Sequence, residues 1–257
     1  MSRLKQRLDN GEVAVGTFVS EVRNPNLGYM LAQSGFDFFI LDNEHGAFSW
    51  EAMGAMIAGA RGANIDVVVR APEIRREVIL KPLDLGAAGL LVPMVDEPDQ
   101  AREVLRHAKY PPQGARGLAL RRAHNMYRKI SAPEHLAQAN ADTFIAVQAE
   151  SPRAVANAAA IAAVEGVDAI FVGPMDLSVS MGIAGQTGHP QLVEAVEKVI
   201  AACAQAGVAP GLLTANAPDT VAWIKKGIRF VAYGSDVTLL ADGAAAAIST
   251  IKGASPA

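Results

Sequence analysis

Two carboxylates follow apolar runs of the kind that make buried strands. Glu150 comes after Phe144-Ile145-Ala146-Val147-Gln148-Ala149, and Asp176 after Ala169-Ile170-Phe171-Val172-Gly173-Pro174-Met175. An acid just past the C-terminal end of a buried parallel strand adds little to stability, and in an α/β barrel that rim is where active sites are built. Acids on successive strands converge on one point. Two of them, with water and substrate oxygens, suit a hard or borderline divalent ion such as Mg²⁺ or Mn²⁺, whereas a Zn²⁺ site would want more His or Cys. Gln148 and Glu150 are two residues apart and project to one side of their strand. Asp176 opens Asp176-Leu177-Ser178-Val179-Ser180, a helical turn whose backbone N–H groups around Met175 and Asp176 are placed to hold an anionic group. Plain N-capping is the alternative role for that acid.

Two more rim candidates accompany the acids. Asp42-Asn43-Glu44-His45 follows the run Phe38-Phe39-Ile40-Leu41, and an imidazole there is placed to act as a general base near neutral pH. Arg70 ends Val67-Val68-Val69-Arg70; in isolation a rim salt bridge serves as well, but beside His45 it becomes a fixed cation for a carboxylate or an enolate oxygen. The lysines are Lys5, Lys81, Lys109, Lys129, Lys198, Lys225, Lys226 and Lys252, and none ends an expected strand. An imine-forming lysine is therefore not expected, and carbanion chemistry would need a metal as its electron sink.

These residues need a scaffold, and the chain predicts one. Apolar runs at 13–19, 38–41, 65–70, 89–92, 144–148, 169–172, 208–213 and 230–233 predict strands. Helical patterns at 24–34, 50–61, 97–107, 152–164, 191–206, 217–226 and 237–251 alternate with them, most punctuated by a glycine just past the end. Near-continuous apolar strands alternating with helices mean a parallel sheet covered on both faces. Eight such units in 257 residues predict a single (β/α)₈ TIM barrel over 1–257 rather than an open sheet, and no Gly-x-Gly-x-x-Gly follows the first strand. The stretch from Tyr110 to Asp142, opening Tyr110-Pro111-Pro112-Gln113-Gly114-Ala115-Arg116-Gly117, lacks a predicted strand and reads as a functional or interface loop.

Composition excludes several classes. Aromatics are only 5% of the chain against 51% apolar residues, which suits small-side-chain helices on a sheet more than a β-sandwich. A net charge of −3 without long Lys/Arg runs gives no field for nucleic acid. The single cysteine, Cys203, lies in Ile200-Ala201-Ala202-Cys203-Ala204 and is expected to be a small buried hydrophobe, not a catalytic thiol. Met1-Ser2-Arg3-Leu4-Lys5-Gln6-Arg7 lacks a signal-like apolar core, and no run approaches the about 18 apolar residues of a membrane span. A cytoplasmic protein with no membrane partner is expected.

Leu41-Asp42-Asn43-Glu44-His45, Val69-Arg70, Tyr110-Pro111-Pro112 through Arg116-Gly117, Gln148-Ala149-Glu150-Ser151 and Gly173-Pro174-Met175-Asp176-Leu177-Ser178 together resemble the HpcH/HpaI aldolases, metal-dependent (class II) pyruvate aldolases. Five ordered motifs across nearly the whole chain make the resemblance specific. It implies a retro-aldol cleavage of a 4-hydroxy-2-oxo acid, of the 2-keto-3-deoxy acid type, to pyruvate and an aldehyde. By the same resemblance Glu150 and Asp176 are metal ligands for Mg²⁺, Mn²⁺ or Co²⁺, and Arg70 stabilises the enolate oxygen. His45 acts with a water on the metal as the acid/base couple, and Asp84, in Lys81-Pro82-Leu83-Asp84-Leu85-Gly86, pairs with that histidine. Gln148, Gly173, Pro174, Met175 and Ser178 are the implied substrate contacts. A barrel whose last helix is exchanged between neighbours, in a homohexamer of paired subunits, is also implied.

The chain departs from the family pattern at Gly46-Ala47-Phe48, at Met175, and over Leu118-Ala119-Leu120-Arg121-Arg122-Ala123-His124. The last changes fall where acceptor aldehydes are discriminated. Oxaloacetate decarboxylation or citramalyl/malyl-type cleavage on the same barrel stays open from sequence, as does, more distantly, a non-catalytic binding barrel.

Overall fold

The computed structural model describes residues 2–253; Met1 and residues 254–257, which the expected domain also includes, lie outside the described residues. Its elements run α1 (Arg3–Asp9), β1 (Ala14–Val19), α2 (Leu27–Gln33), β2 (Phe38–Asp42), α3 (Trp50–Gly62), β3 (Asp66–Arg70), α4 (Arg76–Leu85), β4 (Gly89–Val92) and α5 (Pro98–Ala108). They continue with a 3₁₀ turn (Ala123–Asn125), α6 (Ala132–Asp142), β5 (Phe144–Ala149), α7 (Pro152–Ala156), α8 (Ala158–Ala162), β6 (Ala169–Val172) and α9 (Pro174–Ser180). Then follow α10 (Pro190–Ala206), β7 (Ala209–Thr214), α11 (Ala217–Lys225), β8 (Phe230–Ser235) and α12 (Asp236–Gly253). The eight strands are parallel and close in sequence order, β8 pairing with β1. All eight predicted strands are present within two residues of their expected ends.

Two apolar layers hold the barrel. Alternate strand residues point inward, so the interior is filled by Phe38, Ile40, Val68, Leu91, Phe144, Phe171 and Phe230, with Leu4 and Leu8 of α1 in the same cluster. Phe230 is the hub, its ring 4.9 Å from Phe38, 5.1 Å from Phe144 and 5.5 Å from Phe171. Gly16 makes room for this packing, because a Cβ there would overlap the Phe38 ring. The other strand faces meet the helices in the larger cluster, which includes Met53, Met56, Ile57, Ile79 and Val199. Ordinary core cohesion thus fixes where the eight strand ends point.

The helices depart from expectation in four places. α1 and α4 were not predicted: α4 contains Pro82 and ends on the left-handed Gly86, which together disguise its periodicity. The helix expected at 152–164 breaks at Asn157 into α7 and α8. The strandless stretch is strandless, but it holds the 3₁₀ turn and α6. Its ends are pinned: Lys109 Nζ donates to the carbonyls of Asn140 and Thr143 at 2.8 and 2.7 Å, and the Asn140 side chain bonds both N–H and C=O of Tyr110.

α12 leaves the barrel. Asp236 anchors its first turn by accepting from the N–H groups of Ser20, Glu21 and Val22, and its main contacts are with β1 and β8. Beyond that turn Leu240 and Ile251 are 71% and 64% exposed. No helix among the described residues is long and apolar enough to cross a membrane.

Cys203 is fully buried on α10, as expected, and burial pushes its thiol up to about 12. A group raised from an ordinary value near 9 keeps its proton in the fold but loses it in the open chain, so this thiol's contribution to stability falls as pH rises above about 9. At pH 8 an aromatic disulfide reagent should therefore label native protein only as fast as it opens, and label guanidinium-unfolded protein at once. Rapid stoichiometric labelling of native protein would contradict the burial.

Candidate active site

β2 and β3 lie side by side with Asp42 and Arg70 as register partners at their C-terminal ends. The two side chains form a bidentate pair, Arg70 Nε donating to Asp42 Oδ1 at 2.9 Å and Nη2 to Oδ2 at 2.6 Å. Glu44 Oε2 takes Arg70 Nη1 at 3.0 Å, and the guanidinium lies 4.9 Å from the Phe18 ring centroid. Burial alone would pull the Arg70 pKa down; the bond and charge of Asp42, with Glu44 and Glu150, more than reverse it and raise it. For Asp42 burial pushes up, and Arg70 together with the Glu44 and His45 N–H groups outweighs it, leaving the carboxyl below its ordinary value.

Asp42 also shapes the loop that follows. Its Oδ1 accepts from the backbone N–H of Glu44 at 3.0 Å and of His45 at 3.2 Å. The histidine therefore leaves the rim at an angle set by the same carboxylate that orients the arginine. The His45 side chain is exposed and makes no hydrogen bond among the described residues.

Across the barrel mouth, Glu150 is buried beyond β5. Gln148 Nε2 donates to its Oε1 at 2.7 Å, as their two-residue spacing led one to expect, and the Met94 N–H donates to its Oε2 at 3.1 Å. Gly173 stands opposite, and a Cβ there would overlap Glu150 Oε1 and force that carboxylate to shift. Burial, opposed by the Met94 N–H and Arg70 and reinforced by the charges of Asp176 and Glu44, raises the Glu150 pKa to about 7. Glu44 is raised as well, by burial first, with Asp176 among the charges it feels.

Asp176 stands in the first turn of α9, which begins at Pro174. There the Leu177 N–H bonds the Gly173 carbonyl, leaving the N–H groups of Met175 and Asp176 facing outward without a backbone acceptor. A cavity of about 320 Å³ joins Arg70, Gln148, Glu150, Gly173, Pro174, Met175 and Asp176. Two converging carboxylates, one of them buried and repelled by its neighbours, fit a divalent cation. The Gln148 Oε1 atom, buried with no hydrogen-bond partner, gives a third oxygen at the same place. Among the described residues no group of three or more His, Cys, Asp or Glu side chains is placed to hold a metal ion by itself, so water and substrate oxygens would complete the shell.

Two expected residues lie elsewhere. Asp84 is in the last turn of α4, which runs from the rim back to the start of β4, so it sits at the opposite end of its own barrel from His45. It accepts from Arg116 Nη2 at 2.7 Å and lies 3.9 Å from His124 Nδ1, beside a second cavity of about 430 Å³ lined by Arg61, Arg116, His124 and His135. The expected Asp84–His45 pair is not formed within one chain. Ser178 is fully buried under the α9 turn, donating to the Met175 carbonyl at 2.6 Å and accepting from the Gly185 N–H at 2.9 Å; it holds the turn rather than lining the cavity.

Other lining residues received no role from the sequence. Ser20, Thr214 and Ser235 lie at or just past the ends of β1, β7 and β8, and Thr238 and Asp242 on α12. Proximity to a strand end was the available signal for the first three. Asp42 stood in plain view beside Glu44-His45, but only the strand register reveals that it holds Arg70.

A closed parallel barrel with carboxylates, an arginine and a pre-formed cavity on its C-terminal rim defines an α/β-barrel enzyme. Residues 15–243 match the HpcH/HpaI aldolase/citrate lyase family model. The chain is 37% identical over 259 residues to a hydroxypyruvate/pyruvate aldolase of Pseudomonas aeruginosa, covering 100% of this chain and 95% of that protein. It is 38% identical over 245 residues to a 4-hydroxy-2-oxo-heptane-1,7-dioate aldolase of Salmonella paratyphi C, covering 94% and 91%. The solved HpcH/HpaI aldolase of Desulfitobacterium hafniense superposes with a TM-score of 0.95 at 35% identity, covering 100% of this chain and 98% of that one. The chain belongs to the HpcH/HpaI aldolase/citrate lyase family.

Removing Asp42 should cost stability as well as geometry, because it strands a buried guanidinium. Asp42→Ala is expected to lower the urea unfolding free energy by about 3 kcal/mol. A change under about 1 kcal/mol would show that Glu44 and water can replace it.

Proposed function

We propose that this enzyme cleaves a 4-hydroxy-2-oxo acid to pyruvate and an aldehyde, and runs the reverse addition. The observation that carries it is the placement of a fixed guanidinium, Arg70, in one cavity with the carboxylates of Glu150 and Asp176. In the cleavage the C3–C4 bond breaks and its electron pair passes to C3 and, by conjugation, to the 2-oxo oxygen. The 4-hydroxyl loses its proton as C4 becomes the aldehyde carbon, and a proton returned to C3 gives pyruvate.

Arg70 donates to the 2-oxo oxygen, where negative charge grows, and stays cationic because Asp42 raises its pKa. The outward N–H groups of Met175 and Asp176 hold the C1 carboxylate, with Gly173 and Pro174 keeping the backbone close. Gln148 steadies Glu150 through its amide. Glu150 and Asp176 would hold the divalent cation (Mg²⁺, Mn²⁺ or Co²⁺), which when bound supplies electrophilic stabilisation of the charge on the substrate oxygens. His45 moves the proton at the 4-hydroxyl side, its backbone set by Asp42.

Assembly completes this picture. Asp84 reaches a His45 only if a second copy brings the base of its barrel against this rim. The exposed apolar side of α12 supports exchange of that helix in a homo-oligomer, for which a hexamer of paired subunits is our proposal. A cytoplasmic, reducing setting suits the single unpaired thiol of Cys203.

Arg70→Ala should lower pyruvate release at least about a hundredfold and equally suppress exchange of pyruvate methyl protons with solvent, followed by NMR. Exchange at the wild-type rate would remove Arg70 from the enolate role. Exhaustive EDTA treatment should silence the enzyme, and added Mg²⁺, Mn²⁺ or Co²⁺ should restore it. Full turnover in metal-free buffer would overturn the class II assignment.

A further inference from the structure

Asp84 has more structure around it than an acid at a helix end requires. Arg116 Nη2 donates to its Oδ1 at 2.7 Å, and the Arg116 side chain is 3% exposed against 28% for Asp84. The guanidinium lies 4.7 Å from the centroid of the buried Tyr110 ring, whose hydroxyl is 3.4 Å from His135 Nε2. His124 Nδ1 stands 3.9 Å from the same Oδ1, and its ring centroid is 4.9 Å from that of His135. Burial first, and then the charge of Arg116, lowers the His124 pKa, so at neutral pH this ring adds no second charge.

The backbone on both sides is held as well. Arg61 donates to the Gly86 carbonyl at 2.7 Å and to the Ala123 carbonyl, tying the end of α4 to the turn that carries His124. Gly86 is left-handed with a φ of 99°, and a Cβ there would overlap the Arg61 guanidinium. Around that turn Arg121, Met126 and Tyr127 take left-handed φ values of 55°, 54° and 56°. Such strain in residues other than glycine persists only where the surroundings over-determine it.

All these contacts lie within one chain. They fix Oδ1 of Asp84 from one side and leave Oδ2 without a hydrogen bond inside the chain. For stability alone an apolar side chain at position 116 would serve as well, because a buried ion pair gains little over a hydrophobic one. What the guanidinium adds is a single orientation for a partly exposed carboxylate. We propose that Arg116 is a positioning residue, holding Asp84 by Oδ1 so that Oδ2 is presented to a His45 brought there by a second copy. Arg116 then acts on the neighbouring active site, through Asp84, and not on the site of its own barrel. The inference rests on the aldolase reading and the paired assembly above, and adds the group that sets the geometry of that pair.

The test follows pyruvate release from the pyruvate adduct of glyceraldehyde or of succinic semialdehyde, whichever wild type cleaves faster, in the full-length enzyme loaded with Mn²⁺. Arg116→Met keeps the stem but not the donors, and should lower kcat about tenfold while KM stays within about twofold. Arg116→Lys keeps the charge without the planar fork, and should lose less but show the same coupling. In an Asp84→Asn background either change should cost less than about twofold, because residues that act through one another are not additive.

Co-expressed and purified as mixed oligomers, His45→Ala and Arg116→Met chains should reach about fivefold the mean of the two parent enzymes. Some sites then join an intact His45 from one chain to an intact Asp84–Arg116 pair from the other. Mixtures of Arg116→Met with Asp84→Asn should show no gain, since one chain supplies both groups. Additive losses in the double variant, or a His45→Ala mixture that stays at the parental mean, overturn the proposal. Asp84→Asn turning over at the wild-type rate overturns it together with the pairing, while the aldolase reading stands. A wild type that releases pyruvate from neither adduct sinks that reading too.

Discussion

Asp42 and Arg70 face each other as register partners on neighbouring strands, and this buried pair is the constraint on which the rim depends. Burial by itself would favour neutral forms of both groups; their mutual bond keeps both charged. The cost of desolvating the guanidinium is offset by a carboxylate that also takes two loop N–H groups, so one residue sets the arginine and the histidine loop together. Glu44 shares the same guanidinium, and Glu150 and Asp176 form no ion pair among the described residues. Glu150 is pushed up to about 7, first by burial and then by the charges of Asp176 and Glu44, which the Met94 N–H and Arg70 only partly oppose. A site built this way invites a divalent ion for an ordinary electrostatic reason.

The remainder of the barrel supplies stiffness. Phenylalanine rings gathered on Phe230 fill the interior, and α1 closes the base with Leu4 and Leu8. The packed interior lies under the site, so strand ends cannot drift relative to one another without opening voids, which are costly in a close-packed core. Precision at the rim is thus inherited from packing beneath it. Ser178 extends the same logic outward, since its hydroxyl locks the α9 turn that presents Asp176 and the outward N–H groups.

One chain leaves surfaces that are poorly explained by its own needs. α12 carries leucine and isoleucine into solvent, and Asp84 sits with Arg116 and His124 at the end of the barrel remote from the histidine it was expected to serve. In the assembly proposed above, that apolar area and that acid would both meet a second copy. The rim is similarly asymmetric. The side formed by Glu150, Asp176 and Arg70 is dense with charge, while the wall toward α12 carries hydroxyls and a lone carboxylate.

The strands, their number, the parallel closure and the rim positions of Glu150, Asp176, Arg70 and His45 were legible from local pattern. A buried parallel strand must be apolar along its length, and whatever breaks that run stands at its end. The Gln148–Glu150 contact followed from strand periodicity alone. What stayed hidden depended on which strands and helices become neighbours. The Asp42–Arg70 bond spans 28 residues and needs the β2–β3 register. Ser178 was expected as a substrate contact, but the α9 turn closes over it. Asp84 shares its motif's sequence neighbourhood with the rim but not its end of the barrel, because α4 carries it the length of the fold before β4 begins. Hydrophobic period and residue type decide the elements and their tips; direction, register and helix path decide which tips meet.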